Sequence, residues 1–221
     1  MPELRVPADL RRGAAKGDEL LQVEQGVRLL GLVRDRLGLG TLAASRILDV
    51  GCGTKLAQAI LNREVPVGHY AGLDVYREMI DFLRSEVKDP RLEFHHVDFH
   101  NEMYNPGGKK MSPEDRLPVG EQLFDVLVLF SVFTHLAPDD YRSMLQVLRK
   151  HVAPDGRLLF TLFIDPLPVS DFRDAVPGKP LLWAYYSEPY ARELIAGTGW
   201  EPLELHPPGD ETQHYFICRP V

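Results

Sequence analysis

Apolar positions first recur at helical spacing and then gather into short unbroken runs. Over residues 19–38, Leu20, Leu21, Val23, Val27, Leu30, Val33 and Leu37 follow a 3.6-residue period, which predicts an amphipathic helix. A short run at 46–50, with Ile47, Leu48 and Val50 around Asp49, predicts the first strand, and helical spacing resumes at 55–63. The alternation continues with a strand over 70–75, a helix over 78–86 with Met79, Phe82 and Leu83 on one side, and a third strand over 92–97 closed by Asp98. Residues 124–130 form the most hydrophobic run and so predict the sheet centre, because parallel strands are buried on both faces. Pro138-Asp139-Asp140 opens a helix whose stripe is Tyr141, Met144, Leu145, Leu148 and Val152, with Pro154-Asp155-Gly156 as its stop. A fifth strand follows at 158–164, then a helix at 188–197. The last two strands, 200–206 and 214–219, are separated only by residues 207–213. No helix fits that gap, so they must pair antiparallel as a hairpin.

Composition narrows the function classes. With 221 residues, 44% hydrophobic and 26% charged, the chain suits one α/β-sized domain. A net charge of −7 argues against nucleic acid or an anionic membrane surface as partner, since both call for a basic patch. The longest apolar run, 126–133, is too short to span a bilayer, and the start of the chain lacks a signal-type apolar core, so a cytoplasmic protein is expected. Cys52 and Cys218 fit reduced thiols, and no Cys or His stands at zinc-ligand spacing.

The chemistry starts at Asp49-Val50-Gly51-Cys52-Gly53-Thr54-Lys55, where a strand ends in a glycine turn that opens a helix. Gly51 and Gly53 allow positive φ and close approach of a ligand, and the helix aims its free N–H groups at the same place. A G-x-G turn is weak evidence by itself. The dinucleotide form demands G-x-G-x-x-G, and here Leu56 occupies the last position, while further βα units would replace the terminal hairpin. NAD is therefore disfavoured.

An ordered set of segments carries a more specific resemblance: Leu48-Asp49-Val50-Gly51-Cys52-Gly53, Gly72-Leu73-Asp74, Val97-Asp98, Phe124-Asp125-Val126-Leu127-Val128 and Ser131-Val132-Phe133-Thr134-His135-Leu136, then Leu148-Arg149, Val152-Ala153-Pro154-Asp155-Gly156-Arg157-Leu158 and Thr198-Gly199-Trp200-Glu201. Over roughly residues 45–219 the chain resembles the class I S-adenosylmethionine-dependent methyltransferases. The resemblance implies a Rossmann-like α/β fold: a seven-stranded, mostly parallel sheet with an antiparallel C-terminal hairpin and helices on both faces. It also implies a single domain over 1–221, with residues 1–44 as an N-terminal helical lid, 45–165 as the cofactor-binding core, and 166–221 as a substrate-side segment and terminal hairpin.

Site roles follow from the same resemblance. Asp74 would accept hydrogen bonds from both ribose hydroxyls, a task suited to a two-oxygen acceptor. Asp98 would face the adenine amino group, with Phe99, or Val75 and Tyr76, on the ring; Asp49, Gly51 and Gly53 would line the methionine portion; the main chain of Phe130 and Ser131 would close over the methyl donor. Lys55 departs from the family, which commonly has a third glycine there. Its ammonium either meets the cofactor carboxylate or points to solvent. Asp125, at the start of its strand, reads as structural.

A hydroxyl acceptor must lose its proton, and a general base is typically worth about 10²–10⁴-fold. His135, leaving the central strand on the cofactor side, is the first candidate for that base and His214 the second. His95 and His96 alternate faces of one strand, so at least one is structural. Asp139 and Asp140 suit the first turn of a helix, where the dipole favours acids; magnesium shared with His135 stays open but has no clear motif. Tyr104 and Asn105 in the long connection 99–122, and Tyr185 and Tyr186 in the segment 166–186, are candidate acceptor contacts, and residues 4–12 a candidate lid. The leading expectation is an O-methyltransferase acting on a saccharide or other hydroxylated small molecule. The alternatives are a small-molecule N-methyltransferase and a non-catalytic S-adenosylmethionine-binding protein; a homodimer is compatible with the sequence.

Overall fold

The computed structural model describes residues 3–208 and 212–221, which divide into two compact units at the His96–Val97 junction. The seven strands expected from the sequence all form, and two short ones join them.

The first unit holds helix α1 (Glu19–Arg36), strand β1 (Arg46–Val50), helix α2 (Lys55–Asn62), strand β2 (His69–Asp74), helix α3 (Arg77–Glu86) and strand β3 (Leu92–His96). Its strands run parallel in the order β3-β2-β1, with Asp49 opposite Gly72 and Asp74 opposite His96, so both acids come to carboxyl ends. Ile47, Leu48, Tyr70, Ala71 and Leu73 are almost wholly buried, as a parallel sheet covered by helices requires. The Asp18 carboxylate caps α1 by accepting the Leu21 N–H. Halfway along α1, a Cβ on Gly26 would lie 2.4 Å from the Lys55 carbonyl oxygen, so only glycine lets α1 pack this closely on the start of α2.

The N-terminal segment is strapped to this unit by buried amides. Asn62 accepts the Leu4 N–H (2.8 Å) and donates to the Leu4 carbonyl (3.0 Å), while Gln58 Nε2 donates to the same carbonyl (2.9 Å). Glu19 Oε1 accepts from both the Val6 N–H and Gln58 Nε2 (2.8 Å each). Leu4, Val6 and Leu10 are buried as a result.

The second unit holds β4 (Phe124–Leu129), helix α4 (Pro138–Arg149), β5 (Val152–Ile164), β6 (Phe172–Asp174), β7 (Ala184–Tyr186), helix α5 (Glu188–Ala196), β8 (Trp200–His206) and β9 (His214–Pro220). β5 pairs parallel with β4 and β7 and antiparallel with β9, and β8–β9 is the expected terminal hairpin. Phe133, Tyr141, Phe160, Tyr186 and Phe216 form its aromatic core. Two expectations change. Helix α4 stops at Arg149, and Val152 already pairs with Phe124; the strand then slips register, with Val126 opposite Arg157, so residues 153–156 bulge out of the ladder instead of ending a helix. The segment 166–186, where no strand was expected, contains the β6–β7 antiparallel hairpin.

Among the described residues no helix is long and apolar enough to cross a membrane.

Candidate functional site

In the first unit the chain leaves β1 through a loop that β2 holds in place. Gly51 and Gly53 take φ of +73° and +53°, a region open to glycine at little cost. The N–H groups of Gly51 and Cys52 donate to the Leu73 carbonyl at 2.7 and 3.0 Å. Gly53 N–H donates to Asp74 Oδ2 and Tyr76 N–H to Asp74 Oδ1, both at 3.0 Å. With the Val75 N–H as a third backbone donor, the carboxylate fills three of its roughly four lone-pair sites. Burial raises the Asp74 pKa, while these N–H groups, that of Val75 and the charge of Arg12 oppose the rise. A Cβ on Gly53 would meet nothing within 4 Å, so the loop borders open space at this point. Thr54 ends the loop without a side-chain cap bond to α2, and its hydroxyl accepts from Gln22 Nε2 at 3.1 Å.

Asp49 lies beneath this loop. It is 2% exposed, accepts the Tyr70 hydroxyl at 2.6 Å, and has its pKa pushed up to about 7 by burial, with the Asp74 charge acting in the same direction. Lys55 is half-buried as the first residue of α2, and Val75 is half-buried just past β2. The Arg12 guanidinium stands 4.6 Å from the centre of the Tyr76 ring, which brings the N-terminal strap to the end of β2.

In the second unit, Asp98 is exposed and its Oδ1 accepts Asn105 Nδ2 at 3.0 Å. The same amide donates to the Phe99 carbonyl, so Asn105 closes the turn 99–105; Tyr104 is exposed beside it. Phe99 is buried, with Lys109 over its ring at 5.4 Å.

Past Phe130, Ser131 takes φ +58°, a region sparsely populated by non-glycine residues and often retained at functional sites. Its N–H donates to Thr161 Oγ1 at 2.7 Å, and its hydroxyl meets the Gln213 side chain at 2.9 Å. His135 closes the following 3-10 turn, 133–135. Its Nδ1 lies 3.1 Å from the Leu181 carbonyl oxygen. A carbonyl only accepts, so Nδ1 carries the proton and Nε2 the lone pair. Burial holds the His135 pKa below its usual value.

His214 sits opposite Leu162 on β9, its Nδ1 buried without a hydrogen-bond partner among the described residues and its pKa lowered by burial. Tyr185 stacks on Phe163 (4.9 Å) under the Arg173 guanidinium (4.7 Å). Tyr186 is fully buried, its hydroxyl donating to the Leu136 carbonyl at 2.6 Å.

Sequence reading did not single out Thr161, Leu181, Asp174 or Tyr70. The contacts of Tyr70, Thr161 and Leu181 reach 21 to 46 residues along the chain and carry no local signature; Asp174 reaches Leu181 across a loop of no recognisable turn pattern. Among the described residues, no three His, Cys, Asp or Glu side chains gather so as to hold a metal ion.

Malonyl-[acyl-carrier protein] O-methyltransferase of Bacillus cereus is 26% identical over 143 residues, covering 65% of this chain and 46% of that protein; the chain therefore spans about half the length of this relative. Among solved structures, the SAM-bound amino pentose methyltransferase CalS10 of Micromonospora echinaspora is similar with a TM-score of 0.60 at 15% identity, covering 90% of this chain and 92% of that one. DesVI of Streptomyces venezuelae is similar with a TM-score of 0.60 at 19% identity, covering 96% and 100%. A family model described as a methyltransferase domain matches residues 23–204, and with that span the chain belongs to the methyltransferase-domain family.

Proposed function

We propose that this protein is an S-adenosylmethionine-dependent O-methyltransferase that transfers a methyl group to a hydroxyl of a saccharide or other hydroxylated small molecule. The observation that carries the reading is the hydrogen bonding of His135: its Nδ1 lies 3.1 Å from the Leu181 carbonyl, with the Leu182 carbonyl also against the ring, an arrangement that supports Nε2 as the nitrogen that takes the acceptor proton.

The glycine loop and Asp74 fit the cofactor. Asp74 is the acceptor assigned to the ribose hydroxyls, and the open space beside Gly53 suits the methionine portion at the start of α2. Lys55 offers the one charge on that turn suited to the carboxylate. Asp98 and Phe99 are assigned to the adenine, and Phe130 and Ser131 to the methyl-donor end, as the family resemblance implies. The sulfonium of the bound cofactor supplies an already activated methyl group, which leaves the protein two tasks: to align the acceptor oxygen in line and to remove its proton. His135 takes the proton at Nε2. Tyr185, whose ring is covered by Phe163 and the Arg173 guanidinium, would meet a sugar through its hydroxyl and ring edge, while Tyr186 supports it from the core.

The similarity to an amino pentose methyltransferase favours a second reading, transfer to an amine. The test is calorimetric titration with S-adenosylhomocysteine, followed by a methyl-transfer screen of sugars, lipids and amines with wild type and His135→Ala. Cofactor binding with a hydroxyl acceptor and a crippled variant supports the proposal. Unimpaired turnover of an amine by His135→Ala replaces it with the second reading, and absence of binding removes both.

A further inference from the structure

The β6–β7 hairpin has no place among the alternating strands and helices, yet one of its carbonyls is what His135 faces. Its loop, residues 175–183, is shaped from within: Ala175 N–H donates to the Trp183 carbonyl (2.9 Å), Leu182 N–H to the Lys179 carbonyl (3.2 Å), and Leu181 N–H to Asp174 Oδ2 (3.0 Å). Leu181 takes φ +54°, a conformation that a γ-branched residue adopts only when its surroundings impose it. The Asp174 carboxylate, at the last position of β6, is the contact that imposes it. With the N–H pinned to Asp174, the carbonyl of the same residue reaches His135 Nδ1 at 3.1 Å, and the carbonyl of Leu182, next in the same loop, also accepts from the ring.

We infer that Asp174 and the left-handed Leu181 form a tautomer clamp: they hold the Leu181 carbonyl against His135 Nδ1 and so keep Nε2 unprotonated in the neutral ring. Both are positioning residues, acting through His135 and touching neither acceptor nor cofactor. The clamp itself is a statement about hydrogen bonding. Its consequence for turnover rests on the proposed role of His135 as base.

Two further features agree with a clamp. His135 lies in a single 3-10 turn whose N–H bonds to Val132 and Phe133 and buried Phe133 fix the main chain but not the imidazole, so the ring orientation is set by the carbonyl it meets. The hairpin that supplies the partner is anchored independently of the loop: Tyr186 at its end is buried and bonded to the Leu136 carbonyl, the residue after His135. The carbonyl therefore arrives at the ring from an element whose position is set by the same short stretch of chain.

The experiment is nitrogen-15 NMR of protein labelled at histidine, in which long-range proton–nitrogen correlations distinguish a protonated from an unprotonated ring nitrogen. His135 is assigned by the loss of its signals in His135→Gln. Wild type is expected to show Nδ1 protonated and Nε2 bare at a pH where the ring is neutral. Asp174→Ala should turn this into a mixture of tautomers, and Asp174→Asn, which keeps an acceptor oxygen for the Leu181 N–H, should restore the wild-type pattern. Because rate scales with the competent fraction, kcat in Asp174→Ala should fall about 3- to 10-fold with the cofactor affinity unchanged. A wild-type ring protonated at Nε2, or an Asp174→Ala ring as strictly Nδ1-protonated as wild type, overturns the clamp. A tautomer shift without a change in kcat leaves the clamp standing and refutes His135 as the base.

Discussion

Replacing Asp74 with Asn tests the glycine loop and the cofactor assignment together. Oδ2 accepts the Gly53 N–H and Oδ1 the Tyr76 N–H, both at 3.0 Å, and the Val75 N–H also donates to the carboxylate. An amide has one oxygen, so one of these N–H groups would face an NH₂ donor at a site that is 9% exposed in the wild type. Leaving a buried donor unpaired costs about 1–3 kcal/mol. For a chain of this size each kcal/mol shifts Tm by about 2–4 °C, so thermal unfolding without ligand should move down by about 2–12 °C. The lost charge also weakens the hydrogen bonds offered to ribose. A charge-assisted bond worth about 1.5–3 kcal/mol corresponds to a loss of affinity of roughly 10- to 150-fold, read by titrating S-adenosylhomocysteine calorimetrically. An unchanged Tm would refute Asp74 as the tie that shapes the loop. A lowered Tm with unaltered affinity would refute its contact with the ribose.

Three other outcomes are expected. His135→Gln should lower turnover on a hydroxyl acceptor by about 10²–10⁴-fold while sparing S-adenosylhomocysteine affinity, and the wild-type acid limb of kcat should lie below pH 6.5 because burial lowers the His135 pKa; a limb above that pH contradicts the assignment. Asp49, raised from 3.8 to about 7, holds a proton in the folded state that the unfolded chain releases, so its contribution to stability declines as pH rises through that window. The ceiling is about 4 kcal/mol, and Asp49→Asn, which still accepts the Tyr70 hydroxyl, should flatten the decline between urea titrations at pH 5 and pH 8. Asn62→Ala removes both side-chain bonds to the Leu4 main chain, and faster hydrogen exchange at the Leu4 amide should follow at a cost of about 1–3 kcal/mol; unchanged protection would show that Gln58 and the buried Leu4 side chain suffice.

Most of the architecture was legible because it is periodic. The runs at 46–50 and 124–129 are apolar enough to be strands under any reading, and seven residues between the last two strands leave a hairpin as the sterically available pairing. Legibility failed where backbone pairing overrode local punctuation. Pro154 and Gly156 look like a helix stop, yet Val152 is already bonded into β5 and the intervening residues bulge. Residues 172–174 and 184–186 are too short to show a period, and only pairing with each other and with the end of β5 makes them strands.

The site divides along the same line. The order of acids and glycines along the chain marked Asp49, Gly51, Gly53 and Asp74, since a strand that ends in an acid or a glycine turn announces its carboxyl edge within a few residues. What each carboxylate does was decided by folding: Asp49 turned inward to Tyr70 and Asp74 outward to two N–H groups, though both sit at strand ends. His135 was visible as a histidine at the exit of the central strand. Which of its nitrogens holds the proton depends on a carbonyl 46 residues away, presented by a leucine in a conformation its side chain disfavours. Periodicity and turn chemistry act over a few residues and can be read directly; hydrogen bonds between distant segments exist only once burial has brought those segments together and excluded the water that would otherwise have taken their place.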